Sequence, residues 1–107
     1  MKYYSVAELD ITDPKWVRAY SKNVTKLVER RGGRYLARTS RVERVEGGRR
    51  NPQVFLLIEW PSKEAAQAFY DSEEYRPYRE SRLAGSTGEF ALVAGTDDAG
   101  EAQIARA

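Results

Sequence analysis

"QVFLLIEWPSKEAAQAFY", residues 53–70, joins the most apolar run of the chain to the start of an amphipathic helix. Both alternating sets of the run are apolar: Val54, Leu56, Ile58 and Trp60 on one side, Phe55 and Leu57 on the other. A strand with this pattern is covered on both faces, so we predict that it lies centrally in a sheet. Pro61 stops the strand, and Ser62 suits the N-cap of the following helix.

The segment before this strand predicts a strand, a helix and another strand. "YYSVAELDI", residues 3–11, is rich in aromatic and β-branched residues and precedes a turn signal. In "TDPKW", Asp13 is a favourable N-cap and Pro14 fits the first helical position. Apolar residues then recur at helical spacing, at Trp16, Tyr20, Val24, Leu27 and Val28. Gly32 and Gly33 end the predicted helix. "RYLARTSRVERV", residues 34–45, alternates like a strand, and "EGGRRNP", residues 46–52, is a turn.

The segment after the central strand predicts two helical pieces and a fourth strand. The first helix is expected to bury Ala65, Ala66, Phe69 and Tyr70. Pro77 prevents one straight helix, so a second piece runs to about Leu83. "AGSTG" then breaks the helix, and "EFALVAG", residues 89–95, is the fourth strand. We predict one domain over residues 1–95 and a polar, flexible tail over residues 96–107.

The order of elements is βαββαβ, which predicts an α+β, ferredoxin-like fold with a four-stranded antiparallel sheet and its helices on one face. The other sheet face then carries uncovered apolar side chains, which is unusual for a monomer. A domain of 107 residues also buries less of its surface than a larger one. We therefore predict a homodimer in which the sheet faces of two copies pack together.

The chain contains no cysteine and no histidine. This composition excludes a thiol nucleophile, thiolate or imidazole metal ligands, histidine general-base catalysis and a histidine-ligated haem. We expect no cofactor and no metal. No apolar run approaches the roughly 20 residues of a membrane helix, and no signal peptide is visible, so we expect no membrane association and a cytoplasmic protein.

Arginine is concentrated in one part of the chain. Residues 30–50 contain eight arginines and two acidic residues, although the net charge of the chain is only +2. A basic surface attracts anionic metabolites or nucleic acid, but charges also protect a strand edge from pairing. RNA-binding ferredoxin-like sheets carry a glycine- and aromatic-rich strand motif that "RYLARTSR", residues 34–41, does not match. We favour edge protection and do not expect a nucleic-acid partner.

Two of the charged residues within the predicted strands are candidates for a site. Arg38 lies on the second strand, and Glu59 ends an apolar row on the third, which we expect to be its antiparallel neighbour. A charge in such a setting is costly unless it is paired or meets a ligand. In one interpretation Glu59 is a catalytic acid or base, or anchors a cation, and Arg38 binds a carboxylate. In the other, they pair with each other or with Arg82 and fix the strand register.

Further candidate ligand-binding residues come from the helices. Tyr70 and Tyr75 offer hydroxyl groups to a pocket, although Tyr70 also fits core packing. Ser72 fits a helix cap, and Tyr20 reaches the pocket edge from the buried stripe of the first helix. With Arg38, Glu59 and Arg82, these residues form the predicted rim of a pocket.

The motifs "ELDITDPKWVRAY", "RGGRYLAR" and "IEWPSKEAAQAFYDSEEY" stand here in an order and spacing that resembles a domain-of-unknown-function family of small bacterial proteins. This family belongs to the dimeric α/β-barrel superfamily, and the resemblance spans about residues 3–95. It implies a ferredoxin-like protomer, a twin packed on its sheet, and a ligand pocket between sheet and helices. The features of the family fall here on Asp13, Tyr20, Gly33, Arg38, Glu59, Pro61, Ser62, Tyr70, Ser72, Tyr75 and Arg82. The chain departs from the pattern at Thr39, Trp60 and Glu74.

Three functions are open from the sequence. The first, which we favour, is a homodimer that binds a small anionic or polar-aromatic molecule beside the sheet. The second is a cofactor-independent oxygenase or isomerase, in which Glu59 removes a proton and Arg38 or Arg82 stabilises the oxyanion. The third is a structural or regulatory dimer without a ligand.

Overall fold

The chain folds as four strands and three α-helices in the computed structural model, which describes residues 1–99. The strands are β1 (Tyr3–Ile11), β2 (Arg34–Thr39), β3 (Val54–Trp60) and β4 (Ser86–Ala94). The helices are α1 (Val17–Arg30), α2 (Lys63–Tyr70) and α3 (Arg76–Gly85), and a short 3-10 turn, Pro14–Trp16, precedes α1. None of the helices within residues 1–99 is long and apolar enough to cross a membrane.

The sheet confirms the predicted α+β, ferredoxin-like topology. Its strand order is β2-β3-β1-β4, and each neighbouring pair is antiparallel. In the middle of the sheet, Val6 of β1 lies between Leu57 of β3 and Ala91 of β4. β3 lies between two other strands, as its apolar composition predicts.

One hydrophobic core fills the space between the helices and a single face of the sheet. Its buried members come from alternate positions of β1 and β3 and from the helical segments: Ala7, Leu9, Val24, Leu27, Val28, Leu56, Ile58, Trp60, Ala66, Phe69 and Tyr75. Trp60 is fully buried, and its Nε1 donates to Ser5 Oγ at 2.8 Å, so its polar group is satisfied. We call this side of the sheet the helix face.

The predicted helix starts are confirmed by their hydrogen bonds. The Asp13 carboxylate accepts from the Lys15 backbone N–H at 3.0 Å and caps the 3-10 turn before α1. Ser62 Oγ accepts from the Ala65 N–H at 3.1 Å and caps α2. At the other end of α1, Gly32 has a φ of 90°, which an L side chain rarely adopts.

Two predicted strand boundaries are wrong. β2 ends at Thr39 rather than residue 45, because β3 begins at Val54 and its residues pair with β2 only as far as Thr39. The connection over residues 40–53 is instead held by side chains, including an Arg50–Asp10 ion pair at 2.8 Å. β4 begins at Ser86 rather than residue 89, because α3 continues to Gly85 and the next residues pair directly with the end of β1.

The second face of the sheet, which we call the open face, carries no helix in the described part of the chain. Tyr4, Val6, Phe55 and Leu57 lie there partly exposed, and Val93 is 46% exposed. Residues 96–99 form neither helix nor strand, and the rest of the predicted flexible tail, residues 100–107, lies outside the described residues. The homodimer and the domain boundary at residue 95 stay predictions.

Candidate functional site

A cavity of about 270 Å³ lies between the helix face and α1. Apolar side chains form most of its wall, among them Leu9, Val24, Leu56, Ile58 and Phe90. Its larger polar groups belong to Tyr20, Tyr35, Arg38, Gln53 and Arg82. Within residues 1–99, no aspartate or glutamate lines this cavity. The charged side chains of its wall within residues 1–99 are Arg38 and Arg82, and their positive charge favours anions over cations.

Arg82 is the most unusual residue of the cavity wall. It lies in the last turn of α3 and is only 3% exposed. Its Nε donates to Tyr75 Oη at 3.4 Å, and its guanidinium carbon stands 5.2 Å from the centre of the Phe90 ring. Its Nη2 is buried without a hydrogen-bond partner, and no carboxylate of residues 1–99 forms an ion pair with it. A buried cation in this state is costly in free energy.

The charge of Arg82 is nevertheless retained. Burial by itself lowers the pKa of Arg82, but the neighbouring oxygens of Tyr75 and Tyr20 raise it, and the net pKa lies above the ordinary value. The cavity thus has a permanently cationic group in its wall.

Tyr20 and Tyr75 form a hydroxyl pair beside Arg82. Their hydroxyl oxygens are 2.6 Å apart, and Tyr75 is fully buried while Tyr20 lines the cavity. Burial, and then the charge and hydrogen bond of Tyr75, raise the pKa of Tyr20 far above its ordinary value. Ser72 fixes the start of this region, since its Oγ accepts from the Tyr75 N–H at 3.2 Å and donates to the Phe69 carbonyl at 2.8 Å. Its observed contacts are those of a cap.

Arg38 lies at the cavity on the β2 side. Its Nη1 donates to Thr25 Oγ1 on α1 at 2.7 Å, and its guanidinium lies 4.1 Å from the centre of the Tyr35 ring. A bulge in β2, between Tyr35 and Ala37, allows both side chains to reach the helix face. Arg38 is largely exposed, so it contributes a second, solvent-accessible positive charge to the cavity.

Glu59 is not part of this cavity. It lies on the open face with Phe55 and Leu57, because successive side chains of a strand point to opposite faces. Its carboxylate pairs with Lys2 Nζ at 3.3 Å and Arg34 Nη2 at 3.6 Å. The predicted ion pairs of Glu59 with Arg38 or Arg82 are therefore wrong.

Tyr70 lines a second cavity of about 260 Å³ under α2, together with Ser5, Gln67 and Leu92. The two cavities share Phe69 and Phe90 in their walls. Of the predicted residues, Tyr20, Arg38 and Arg82 line the first cavity, and Tyr75 is hydrogen-bonded to Tyr20 and Arg82. Glu59, Tyr70 and Ser72 do not belong to its wall within residues 1–99.

Sequence reasoning did not assign most of the first cavity wall to a site, and Tyr35, Gln53 and Phe90 are the residues among these that matter most here. Tyr35 and Arg34 are adjacent in β2, so their side chains point to opposite faces of the sheet. The alternation of β2 therefore indicates the face on which Tyr35 lies. Gln53 belongs to a predicted strand, and the sequence does not indicate its partner. In the structure its Oε1 accepts from the Ile11 N–H at 2.7 Å and ties the start of β3 to the end of β1. No cluster of three metal-ligating side chains occurs among the residues that the structure describes.

A family model, the domain of unknown function DUF1330, matches residues 2–96, and the chain belongs to that family. No curated protein matches the sequence. The resemblance of the sequence motifs to a family of unknown function is thereby confirmed.

Solved structures share the fold at low sequence identity. A protein of unknown function from Rhodopseudomonas palustris matches with a TM-score of 0.74 and 15% identity, over 90% of this chain and 83% of that chain. SnoaB, a cofactor-independent oxygenase from Streptomyces nogalater, matches with a TM-score of 0.61 and 16% identity, over 90% and 94%. An antibiotic biosynthesis monooxygenase matches with a TM-score of 0.51 and 19% identity, over 91% and 100%. At these identities the similarity establishes the fold alone.

Proposed function

We propose that this member of the DUF1330 family binds a small, largely apolar molecule that carries one anionic group, in the cavity between the helix face and α1. The observation that carries the proposal is Arg82, which is 3% exposed, lines the cavity and has an Nη2 without a partner in residues 1–99. Removing a cation from water costs several kcal/mol unless a counter-charge and hydrogen bonds compensate. An anionic ligand supplies both.

The cavity supports a ligand of modest size. Its volume of about 270 Å³ lies near the lower end of the ~300–1,000 Å³ that small-molecule sites span. The walls are mainly apolar, which favours an aromatic ring or a short hydrocarbon behind the anionic group. Arg38, exposed at the same cavity, raises the local concentration of anions and speeds their entry.

A thermal-shift series with benzoate, phenylacetate and salicylate, against the neutral amides of the same acids, tests the proposal. An anion present at 100 times its Kd should stabilise the protein by about 2.7 kcal/mol, whereas its amide should not. Arg82→Met should abolish the shift. Arg76→Met is the matched control, because Arg76 lies on the same helix, is exposed and pairs only with Glu73 and Glu80 in the described residues. An unchanged shift in Arg82→Met would disprove the assignment of the site.

The proposal includes a homodimer formed through the open face. Tyr4, Val6, Phe55 and Leu57 form an apolar centre there, and a second copy would bury it. Light scattering on a size-exclusion column should give twice the mass of one chain. Leu57→Glu, which places a charge at the centre of this face, should give a monomer. A wild-type monomer at micromolar concentration would contradict the dimer.

An oxygenase or isomerase that uses Glu59 as its base receives less support. Glu59 lies on the open face and is already paired with Lys2 and Arg34. The cavity wall contains no carboxylate among residues 1–99. The shared fold of SnoaB does not supply a reaction for this chain, so binding without proton abstraction by Glu59 is the function that we propose.

A further inference from the structure

We infer that the Tyr20 hydroxyl and the Arg82 guanidinium form an oxyanion site, which binds the ionised form of an acidic phenol or enol in preference to its neutral form. The inference rests on the proposed function because it concerns the same cavity. It adds the chemical class of the anion and the atoms that select it.

The direction of the hydrogen bonds follows from what each group can do. Arg82 Nε can only donate, so Tyr75 Oη accepts from it at 3.4 Å. Tyr75 has one hydroxyl proton, and the acceptor next to it is Tyr20 Oη at 2.6 Å. If Tyr20 donated instead, the proton of the fully buried Tyr75 would have no acceptor among the described residues, which is unfavourable. Tyr75 therefore donates to Tyr20, and the Tyr20 proton is free for an acceptor in the cavity.

Arg82 provides the second donor. Its Nε is engaged by Tyr75, so the Nε–Nη2 edge does not offer a carboxylate two free parallel N–H groups. Nη2 remains unpartnered in the described part of the chain. Tyr20 and Arg82 line the same cavity and lie close enough for the Tyr20 oxygen to raise the pKa of Arg82, so one negatively charged oxygen atom that reaches both can accept from both, as in an oxyanion site.

The site also discriminates against a neutral hydroxyl group. Tyr20 stays protonated because burial raises its pKa, and Arg82 stays charged. No carboxylate of residues 1–99 lines the cavity, so these two donors face no acidic acceptor for a ligand proton. A neutral phenol oxygen accepts only weak hydrogen bonds from these donors, whereas a phenolate oxygen accepts charge-assisted ones, so the site favours the form that has released its proton to water.

The measurable consequence is a lower pKa of the bound ligand. We expect the pKa of bound 4-nitrophenol to fall by at least about one unit, which corresponds to a tenfold preference for the phenolate. The ionisation is followed through the yellow phenolate band during a pH titration with the protein in excess. The ether 4-nitroanisole, which cannot ionise, serves as the neutral comparator and is expected to bind wild type and variants alike.

Variants separate the two donors. Arg82→Met should remove the pKa shift of the bound ligand. Tyr20→Phe, which keeps the ring but removes the hydroxyl donor, should reduce the shift without abolishing it. Arg76→Met should leave it unchanged. Arg82→Lys, which keeps a positive charge, provides an additional test if the methionine variant does not fold, and it should retain part of the shift.

The outcomes also distinguish the two proposals. If 4-nitrophenol binds to wild type with an unchanged pKa, the oxyanion site is wrong. The proposed anion-binding function is then judged by the thermal shifts with the carboxylates alone. If carboxylates stabilise the protein but 4-nitrophenolate does not bind, the inference is again overturned. If neither class binds, both proposals fail.

Discussion

Replacing Arg82 with methionine should stabilise the ligand-free protein. A methionine side chain is unbranched and flexible, and it can fill the space of the aliphatic part of arginine without a charge. The substitution removes a buried nitrogen, Nη2, that has no partner in residues 1–99. The same change that abolishes ligand binding is therefore expected to strengthen the fold, a combination that a purely structural arginine would not give.

The magnitude follows from the contacts of Arg82. An unsatisfied buried polar group costs about 1–3 kcal/mol. Against this, the substitution loses the hydrogen bond to Tyr75, which at 3.4 Å is long and worth about 0.5–1 kcal/mol. It also loses the contact with the Phe90 ring, worth about 0.5–1 kcal/mol. Apolar replacements of buried ionic groups often stabilise by about 1–4 kcal/mol, a net figure that already includes relief of the unsatisfied nitrogen. We expect a net gain of about 1–2 kcal/mol.

Urea denaturation and calorimetry of the ligand-free proteins provide the assay. For a domain of this size, about 1 kcal/mol corresponds to a rise in Tm of roughly 4–8 °C. Arg76→Met, the exposed control, should change the stability by less than about 0.5 kcal/mol. A loss of more than about 1 kcal/mol in Arg82→Met would refute the reasoning, because Arg82 would then contribute to folding and no ligand would be needed to explain it.

Three further predictions concern stability at alkaline pH, the backbone at Gly88 and the N-cap of α2. Because the pKa of Tyr20 is raised in the fold, the folded protein holds a proton that the unfolded chain loses above about pH 10, so stability falls by up to ~1.4 kcal/mol per pH unit there. In Tyr20→Phe the urea midpoint should fall less steeply with pH in this range. Equal slopes for the wild type and the variant would contradict the raised pKa of Tyr20. Gly88→Ala should cost about 3 kcal/mol or more, because Gly88 has a φ of 146° and a Cβ would stand 1.9 Å from the Glu8 carbonyl oxygen. Gly48→Ala, with no atom within 4 Å of the new Cβ, should cost far less in the same urea titration. Ser62→Ala should lower the unfolding free energy by about 1 kcal/mol through loss of the α2 cap, and a change near zero would contradict that role.

The fold was predictable because its boundaries are set by local chemistry. The pairs Asp13–Pro14 and Pro61–Ser62 start helices by rules that act within a few residues, and the structure shows both side-chain caps. The apolar run of β3 likewise indicates a central strand from its own composition. The end of β2 was not predictable in this way, because it depends on where the partner strand begins.

The incorrect pairing of Arg38 with Glu59 has a different cause. Arg34 lies directly opposite Glu59, and in a regular strand Arg38 would share the face of Arg34. The bulge between Tyr35 and Ala37 inserts one residue, so Arg38 lies opposite Leu56 on the helix face. Nothing in "RYLART" marks this bulge, because glycine, the residue that most often signals one, is absent. A single inserted residue thus transfers a positive charge from Glu59 to the cavity.

The three arginines of α3 show what sequence alone cannot rank. Arg76 pairs with acidic neighbours and Arg79 donates to the Tyr70 carbonyl, whereas Arg82 is buried without an acid in the described residues. The spacing did contain a signal, because Arg82 follows the fully buried Tyr75 by seven residues, or two helical turns. A cation on a buried helical stripe without an acidic partner on the same stripe indicates either a distant counter-ion or a ligand. Within residues 1–99, the cavity wall near Arg82 consists of apolar and hydroxyl-bearing side chains, together with Gln53 and the second cation, Arg38. Because none of these groups is a counter-ion, the geometry favours a ligand over a distant acidic partner.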